Sequence, residues 1–507
     1  MANKTPNSIE FAGDYDLNHV FLHNHLKEIT DIKKMMIELN VFESIFNNAL
    51  TGSLVITDAQ NLIAKLELNG TERISFKLST PGALDNRNTI DASVETGHPF
   101  YVYKITDRRQ IAPGTNLYTL HFGSREFIRN LRTKVSQAYS GNTAYQVIKI
   151  LMDENYLDSK KEISYEPTGN INDIVIPNMR PFDAINMIAK KTLPEKSDGV
   201  GYYFYETTKG IYFRSWDNMC SVKGRQKRDT KQIFRYMPMN VNDETIDDKM
   251  NHDYQSVESY RFVNNFHDIA ANIPLGTYAH KAITYNLFDK SYDESIYNYE
   301  IDYMRSKHTD QTADRFAREK YAVAAESIVD TDDKKISEYP ESRVSLQTTT
   351  PFLHNKDVGT YGLDAIQDGE KTGERVSQGN QVTMGTALKL TVKGQSYLQP
   401  GNLIRFHLKD VNADIDKDNP VDPRFSGNYI ITKIRHIVHL EDYKMILECA
   451  KDSVATSYGE VHQGEGGLPT EGAAAQQQGQ AGWRAGRHVP HEQRRRPTAA
   501  ALCQKPP

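Results

Sequence analysis

In several segments toward each end of the chain, apolar residues recur at every second position. Leu388, Leu390 and Val392 alternate with Lys389, Thr391 and Lys393, and Ile74, Phe76 and Leu78 alternate with Arg73, Ser75, Lys77 and Ser79. A period of two places successive side chains on opposite faces, so each run predicts a strand with one buried face and argues against an amphipathic helix. Residues 35–42 follow the same rule. Met35, Ile37, Leu39 and Val41 form an apolar face opposite the mixed face of Met36, Glu38, Asn40 and Phe42. GSLVITD from Gly52, FYVYKITD (Phe100 to Asp107) and NLYTLHFG (Asn116 to Gly123) add strands, with turn signals at Asn69-Gly70 and Pro113-Gly114, where glycine accepts positive φ. Five antiparallel strands ending near Gly123 predict a sandwich or barrel over residues 1–124.

Beyond Gly123 the period changes. Phe127, Ile128, Leu131, Val135 and Ala138 recur at helical spacing, as do Ala144, Val147, Ile148, Leu151 and Met152 after a candidate Asn142 cap. Pro181 suits the first turn of a third helix that carries Phe182, Ile185, Ile188 and Ala189 on one side. With the hairpin YYFYE, TTKG, IYFRSW, these make residues 125–215 a helical/mixed unit. SYRFVNNFHDIA and HKAITYNLF read as strands, Ala313, Phe316, Ala317 and Val323 to Ala325 suggest a helix, and residues 291–380 read as an insertion. LQPGNLIRFHL, FSGNYIITKIRHIVHL and YKMILECAKDS then restore the β signal, so residues 216–290 and 381–458 predict a second, discontinuous antiparallel barrel. The expected fold class is mainly β (α+β): two antiparallel β-barrel domains, a helical/mixed domain and an inserted α/β region. Residues 459–507 contain no Tyr, Phe, Ile or Asp. They read as a disordered tail or as a frameshifted or cloning remnant.

Composition removes several functions. The 61 Lys+Arg against 66 Asp+Glu leave a net charge of -5, without the basic excess that tight phosphate binding needs. Cys220, Cys449 and Cys503 are too few and too scattered for a disulfide framework or a four-thiolate zinc site. No apolar run approaches a membrane span and the first residues lack a signal peptide's apolar stretch, so no membrane anchor is expected and folding is expected in a reducing cytoplasm. Phosphate-loop, dinucleotide, nucleophile-elbow and HExxH motifs are missing. His23-Asn24-His25 reads as a polar surface segment. Asp414, Asp416 and Asp418 open a calcium-type loop whose sixth and twelfth positions are Asn419 and Phe425 instead of Gly and Glu, which favours a solvated loop. No catalytic residue, metal or cofactor is expected.

The order of these segments resembles the central baseplate hub protein of contractile-tailed bacteriophages, a family that includes the late control protein D of temperate phages and the hub portion of the type VI secretion spike protein VgrG. The most specific stretch is C-terminal. KLTVKGQSYLQPGNLIRFHL, DPRFSGNYIITKIRHIVHL and YKMILECAKDS look like the family's G-x-x-x-L-x-P-G, F-S-G-x-Y-x-I-T and terminal K-D-S strands. VFESIFNNALTGSLVITDA with ERISFKL looks like the first hub barrel, and RPFDAINMIAKK like its helical unit. The likeness spans about residues 17–455, leaving out the 291–380 insert, the Asp-rich loop and the tail.

The resemblance implies a non-enzymatic virion protein of the tail baseplate, made in the host cytoplasm: a homotrimer with two tube-type barrels per subunit that meets the tail tube protein, the central spike or needle protein and other baseplate proteins. It also implies a channel that passes DNA without binding it tightly, with a neutral or acidic lining. A tail-associated peptidoglycan-degrading enzyme and a carbohydrate-binding adhesin are the alternatives. Phe42, Ile45, Phe46 and Leu50 put four large apolar groups into a short connector, more than a solvated loop carries. They are the candidate subunit or tube interface.

Overall fold

The computed structural model describes residues 12–80, 89–169, 171–196, 199–221, 232–236, 253–264, 268–286, 290–302, 305–310, 334–348, 353–355, 361–409, 422, 424–440 and 442–453. The fold is mainly β. Eight strands come first: β1 (Asp16–His23), β2 (Ile29–Asp31), β3 (Met36–Ser44), β4 (Thr51–Asp58), β5 (Arg73–Ser79), β6 (Thr89–Asp91), β7 (Phe100–Ala112) and β8 (Thr115–Gly123). They bond in the order β2-β1-β5-β7-β8-β4-β3, with β6 on β5. Leu22, Leu39, Leu54, Ile74, Phe76, Phe100 and Phe122 fill one core inside this curled sheet. Among the described residues no ladder joins β1 to β3. The 3-10 turn Lys33–Met35 lies there instead, with Ile32 N donating to Val20 O at 2.8 Å and Thr57 Oγ1 to Met35 O at 3.2 Å.

The expected alternation through residues 35–42 breaks at a bulge. The β3–β4 register shifts between Met36 and Glu38, so Met36 is buried with Leu39 and Val41 while Ile37 is exposed. One extra residue reverses the facing of every side chain on its far side. Gly52 on β4 is required by space. A Cβ there would lie 2.3 Å from the Phe122 ring and 2.5 Å from Asn40 O.

The middle of the chain has its own core. Helix Arg125–Arg132 starts at Ser124, whose side chain accepts from Phe127 N, and ends where Thr133 turns extended. Val135 and Ala138, placed by their spacing on that helix, lie instead on β9 (Val135–Thr143). β10 (Ile163–Tyr165), β11 (Ile171–Met179), β12 (Tyr202–Glu206) and β13 (Ile211–Ser215) follow. Helix Ala144–Met152 begins with a Thr143/Gln146 capping box, so the cap is Thr143, one residue later than expected, and Pro181 opens helix Pro181–Ala189. Their faces, Val147, Ile148 and Leu151 against Ile185 and Ile188, pack with Phe204 and Phe213.

The remaining strands are β14 (Gln232–Tyr236), β15 (Ser256–Asn264), β16 (Ala279–Asn286), β17 (Ser291–Asn298), β18 (Val344–Thr348), β19 (Leu353–Asn355), β20 (Thr386–Lys393), β21 (Leu403–His407), β22 (Gly427–His439) and β23 (Tyr443–Lys451). The ring β22-β21-β14-β15-β20-β23 closes through β22–β23, antiparallel apart from β14, which runs parallel to both neighbours. Leu388, Leu390 and Val392 point inward, as their alternation requires, against Met445, Leu447 and Cys449. Residues 279–286, expected in this barrel, pair elsewhere. β16 lies between β17 and β18 in a separate sheet, whose face is backed by the long helix Tyr361–Met384, with Tyr297 Oη donating to Ser377 Oγ at 2.9 Å. The helix expected around residues 313–325, the Asp-rich loop at 411–421 and the tail at 459–507 lie outside the described residues.

Candidate assembly interface

β3 is used on both edges. One pairs with β4, and the other pairs antiparallel with β22, from Ser44 opposite Lys433 to Glu38 opposite His439. The two barrels are thereby fused edge to edge within one chain, which covers ladder groups that would otherwise face solvent. Two polar clamps cross the seam. On the outside, Arg435 Nε donates to Asn40 Oδ1 at 2.9 Å and Nη2 to Glu38 Oε1 at 3.0 Å, with the guanidinium 5.8 Å from the Phe42 ring centre. On the inside, His436 Nε2 lies 3.1 Å from Glu43 Oε1 and Nδ1 2.6 Å from the Tyr443 hydroxyl. A carboxylate oxygen accepts, so Nε2–H donates to Glu43. Nδ1 then accepts from Tyr443, a phenol whose pKa burial pushes far up and which therefore keeps its proton.

The connector after β3 splits the four candidate residues. Ile45 is buried among Tyr205, Trp216, Leu403 and Ile430, and Leu50 is buried in the first core. Both are covered by this chain's own side chains. Phe42 is 36% exposed and Phe46 40% exposed; Phe46 meets Tyr203 edge-on with ring centres 6.0 Å apart. The surface available to another molecule therefore narrows to these two rings. The connector is held by a buried carboxylate that composition could not reveal. Glu206 accepts from Leu50 N at 2.9 Å, Ser124 Oγ at 2.6 Å and Lys161 Nζ at 2.5 Å.

The C-terminal motifs meet at one end of the second barrel. Gly394 packs on the Tyr443 ring, where a Cβ would lie 2.1 Å from it, and Gly401 has φ +86° with a Cβ position 2.4 Å from Tyr205 Oη. Gly427, the glycine of the F-S-G segment, has φ +130°, and its Cβ position lies 2.6 Å from Lys451 Nζ and 2.7 Å from Asp310 Oδ2. Lys451 is fully buried; its Nζ donates to Ser426 O at 2.6 Å and pairs with Asp310 Oδ2 at 3.1 Å. Asp452 accepts from Trp216 Nε1 at 3.1 Å and from Thr309 N at 2.9 Å, and its Oδ2 lies 2.9 Å from His308 Nδ1. Burial alone would raise this carboxyl, but His308 and these donors hold it below the usual range. The K-D-S strand end thus anchors the 305–310 segment of the insertion to the barrel. Beside it, Asp217 accepts from Lys307 N at 3.1 Å while its Oδ2 is buried without a hydrogen bond, and burial pushes its pKa up to about 6.

These groups hold the protein together; they do not converge as reactants. His23 Nε2 lies 2.7 Å from Ser75 Oγ, and His25 lies 3.8 Å from Glu67. Among the described residues no group of three or more His, Cys, Asp or Glu is placed to hold a metal, and no helix is long and apolar enough to cross a membrane.

Solved structures align over most of the chain. A tail protein from Neisseria meningitidis matches 86% of this chain and 97% of its own length at 10% identity and a TM-score of 0.47. A prophage tail protein from Shewanella oneidensis matches 86% and 98% at 8% identity and 0.45. One from Listeria monocytogenes matches 86% and 96% at 7% identity and 0.42. No protein-family model and no curated protein matches the chain.

Proposed function

We propose that this chain is a structural hub of a phage tail baseplate, a homotrimer whose paired barrels form a ring of six. The observation that carries the proposal is the β3–β22 seam, which presents two barrels side by side as one rigid sheet. Three such pairs around a closed axis give pseudo-sixfold symmetry, the arrangement needed to join a hexameric tail tube to a threefold spike. The order of the hub-like motifs supports the same reading, because each of their glycines sits where a side chain would collide with the barrel. Phe42 and Phe46 are the outward contact to a neighbouring subunit or to the tube. The ring encloses the genome-ejection channel and performs no bond chemistry. Light scattering of the purified chain tests the oligomer, with a trimer expected and a monomer at micromolar concentration overturning it. A cell-wall zymogram tests the catalytic alternative, and clearing by the pure protein would replace the hub reading with an enzyme.

A further inference from the structure

A groove of about 790 Å³ opens where the first barrel's connector, the helical/mixed unit and the insertion meet. Phe46 and Tyr203 form one wall, Thr348 and Arg375 the other, and Lys190 and Lys191 stand at the end of helix Pro181–Ala189. Among its described lining residues are three cations and no carboxylate. Two lysines at a helix C-terminus complement the helix dipole by themselves. Arg375 comes from a different element, the long helix of the insertion, so the positive charge gathers from two directions.

The walls are preformed. Asn48 and Asn186 exchange two amide hydrogen bonds of 3.0 Å, tying the connector to the helix. On the far side Gln347 Nε2 donates to Thr372 Oγ1 at 2.6 Å, fixing β18 to the long helix. That helix seats directly on the chain at Gly201, where a Cβ would lie 2.4 Å from Gln378 Oε1. A groove already built costs little ordering on binding. Its volume suits a short peptide segment.

We infer that this groove docks an acidic peptide segment of a partner protein, one carrying an aromatic or large aliphatic anchor. The anchor packs on the Phe46–Tyr203 pair, while flanking carboxylates face Lys190, Lys191 and Arg375. The inference rests on the hub reading, which supplies a partner assembled beside Phe46. Charge complementarity selects the occupant: a basic or neutral segment gains nothing from a lining of one sign.

The test uses the full chain and two labelled peptides of equal length, one alternating aspartate with phenylalanine and one alternating lysine with phenylalanine, read by fluorescence anisotropy. The acidic peptide should bind with a micromolar Kd at about 50 mM salt and weaken several-fold at about 300 mM. Lys190→Glu with Lys191→Glu should weaken it by about tenfold or more with an unchanged circular dichroism spectrum. No binding of the acidic peptide, equal binding of the basic one, or equal binding by the double variant would overturn the inference. Light scattering of the same samples separates the two ideas. A trimer that ignores the acidic peptide removes the groove and leaves the hub, whereas a monomer that binds it does the reverse.

Discussion

Lys451→Met should unfasten the insertion from the second barrel at a cost set by one stranded carboxylate. In the native chain the ammonium is fully buried, 3.1 Å from Asp310 Oδ2, 2.6 Å from Ser426 O and 3.3 Å from Arg424 O. Methionine keeps nearly the same length and volume, so packing changes little and the loss is electrostatic. Asp310 would keep its hydrogen bond from Asn428 N at 2.9 Å and lose the opposite charge. Breaking a buried pair from one side costs about 3–5 kcal/mol, because the remaining charge is neither hydrated nor paired. Adding Asp310→Asn removes that charge while retaining an acceptor for Asn428, and should recover about half of the loss or more. Trp216 donates to the adjacent Asp452, so its fluorescence during urea unfolding reads this end of the barrel. If Lys451→Met shifted stability by less than about 1 kcal/mol, or the double variant were less stable than the single, the ion pair would not be the fastening described.

Asp217 makes stability fall with rising pH. Its folded pKa stands raised from 3.8 to about 6, so between those values the native state holds a proton that the unfolded chain has released. The penalty grows through that window and is complete above pH 6; Asp217→Asn should add roughly 3 kcal/mol at neutral pH and flatten that part of the stability–pH curve, and a curve of unchanged slope would count against the assignment. Gly52→Ala should cost about 1–3 kcal/mol by overpacking against Phe122, measured as a lowered unfolding midpoint and partly restored by Phe122→Leu. Phe46→Asp should leave the circular dichroism spectrum intact and reduce trimer formation or tube binding, read by light scattering and co-sedimentation; full retention of both would remove the connector from the interface.

The strands were legible where a single face is buried, as in β20 and β5, because alternation then records the core directly. Three failures have separate causes. The β3 bulge shifts parity without leaving any mark in the composition. Val135 and Ala138 kept a helical spacing by coincidence across the extended Thr133. The helix Tyr361–Met384 was missed because much of the face it buries is polar: Thr372, Glu374, Ser377 and Gln378 are all buried, with Ser306 Oγ donating to Glu374 Oε1 at 3.0 Å. A face sealed by hydrogen bonds carries no hydrophobic period. Within the connector, the excess of apolar residues pointed to something unusual, yet which two would face outward depended on partners far along the chain. Glu43, Arg435 and Lys451 were invisible as a group for the same reason, although Asn40 and Glu43 inside an apolar strand were a signal that polar partners had to exist.

The seam between the barrels also imposes a schedule on synthesis. Glu43 must wait for His436, which lies 393 residues downstream. At about 5–20 residues per second the outer edge of β3 stands open for roughly 20 to 80 s after it leaves the ribosome. An open, flat, apolar edge held that long would capture strands from neighbouring nascent chains. Glu38, Asn40 and Glu43 make this edge a poor template for such strangers, since an approaching strand without a matching arginine and histidine would have to bury a carboxylate alone. The residues that later lock the seam thus serve first as its guard during translation.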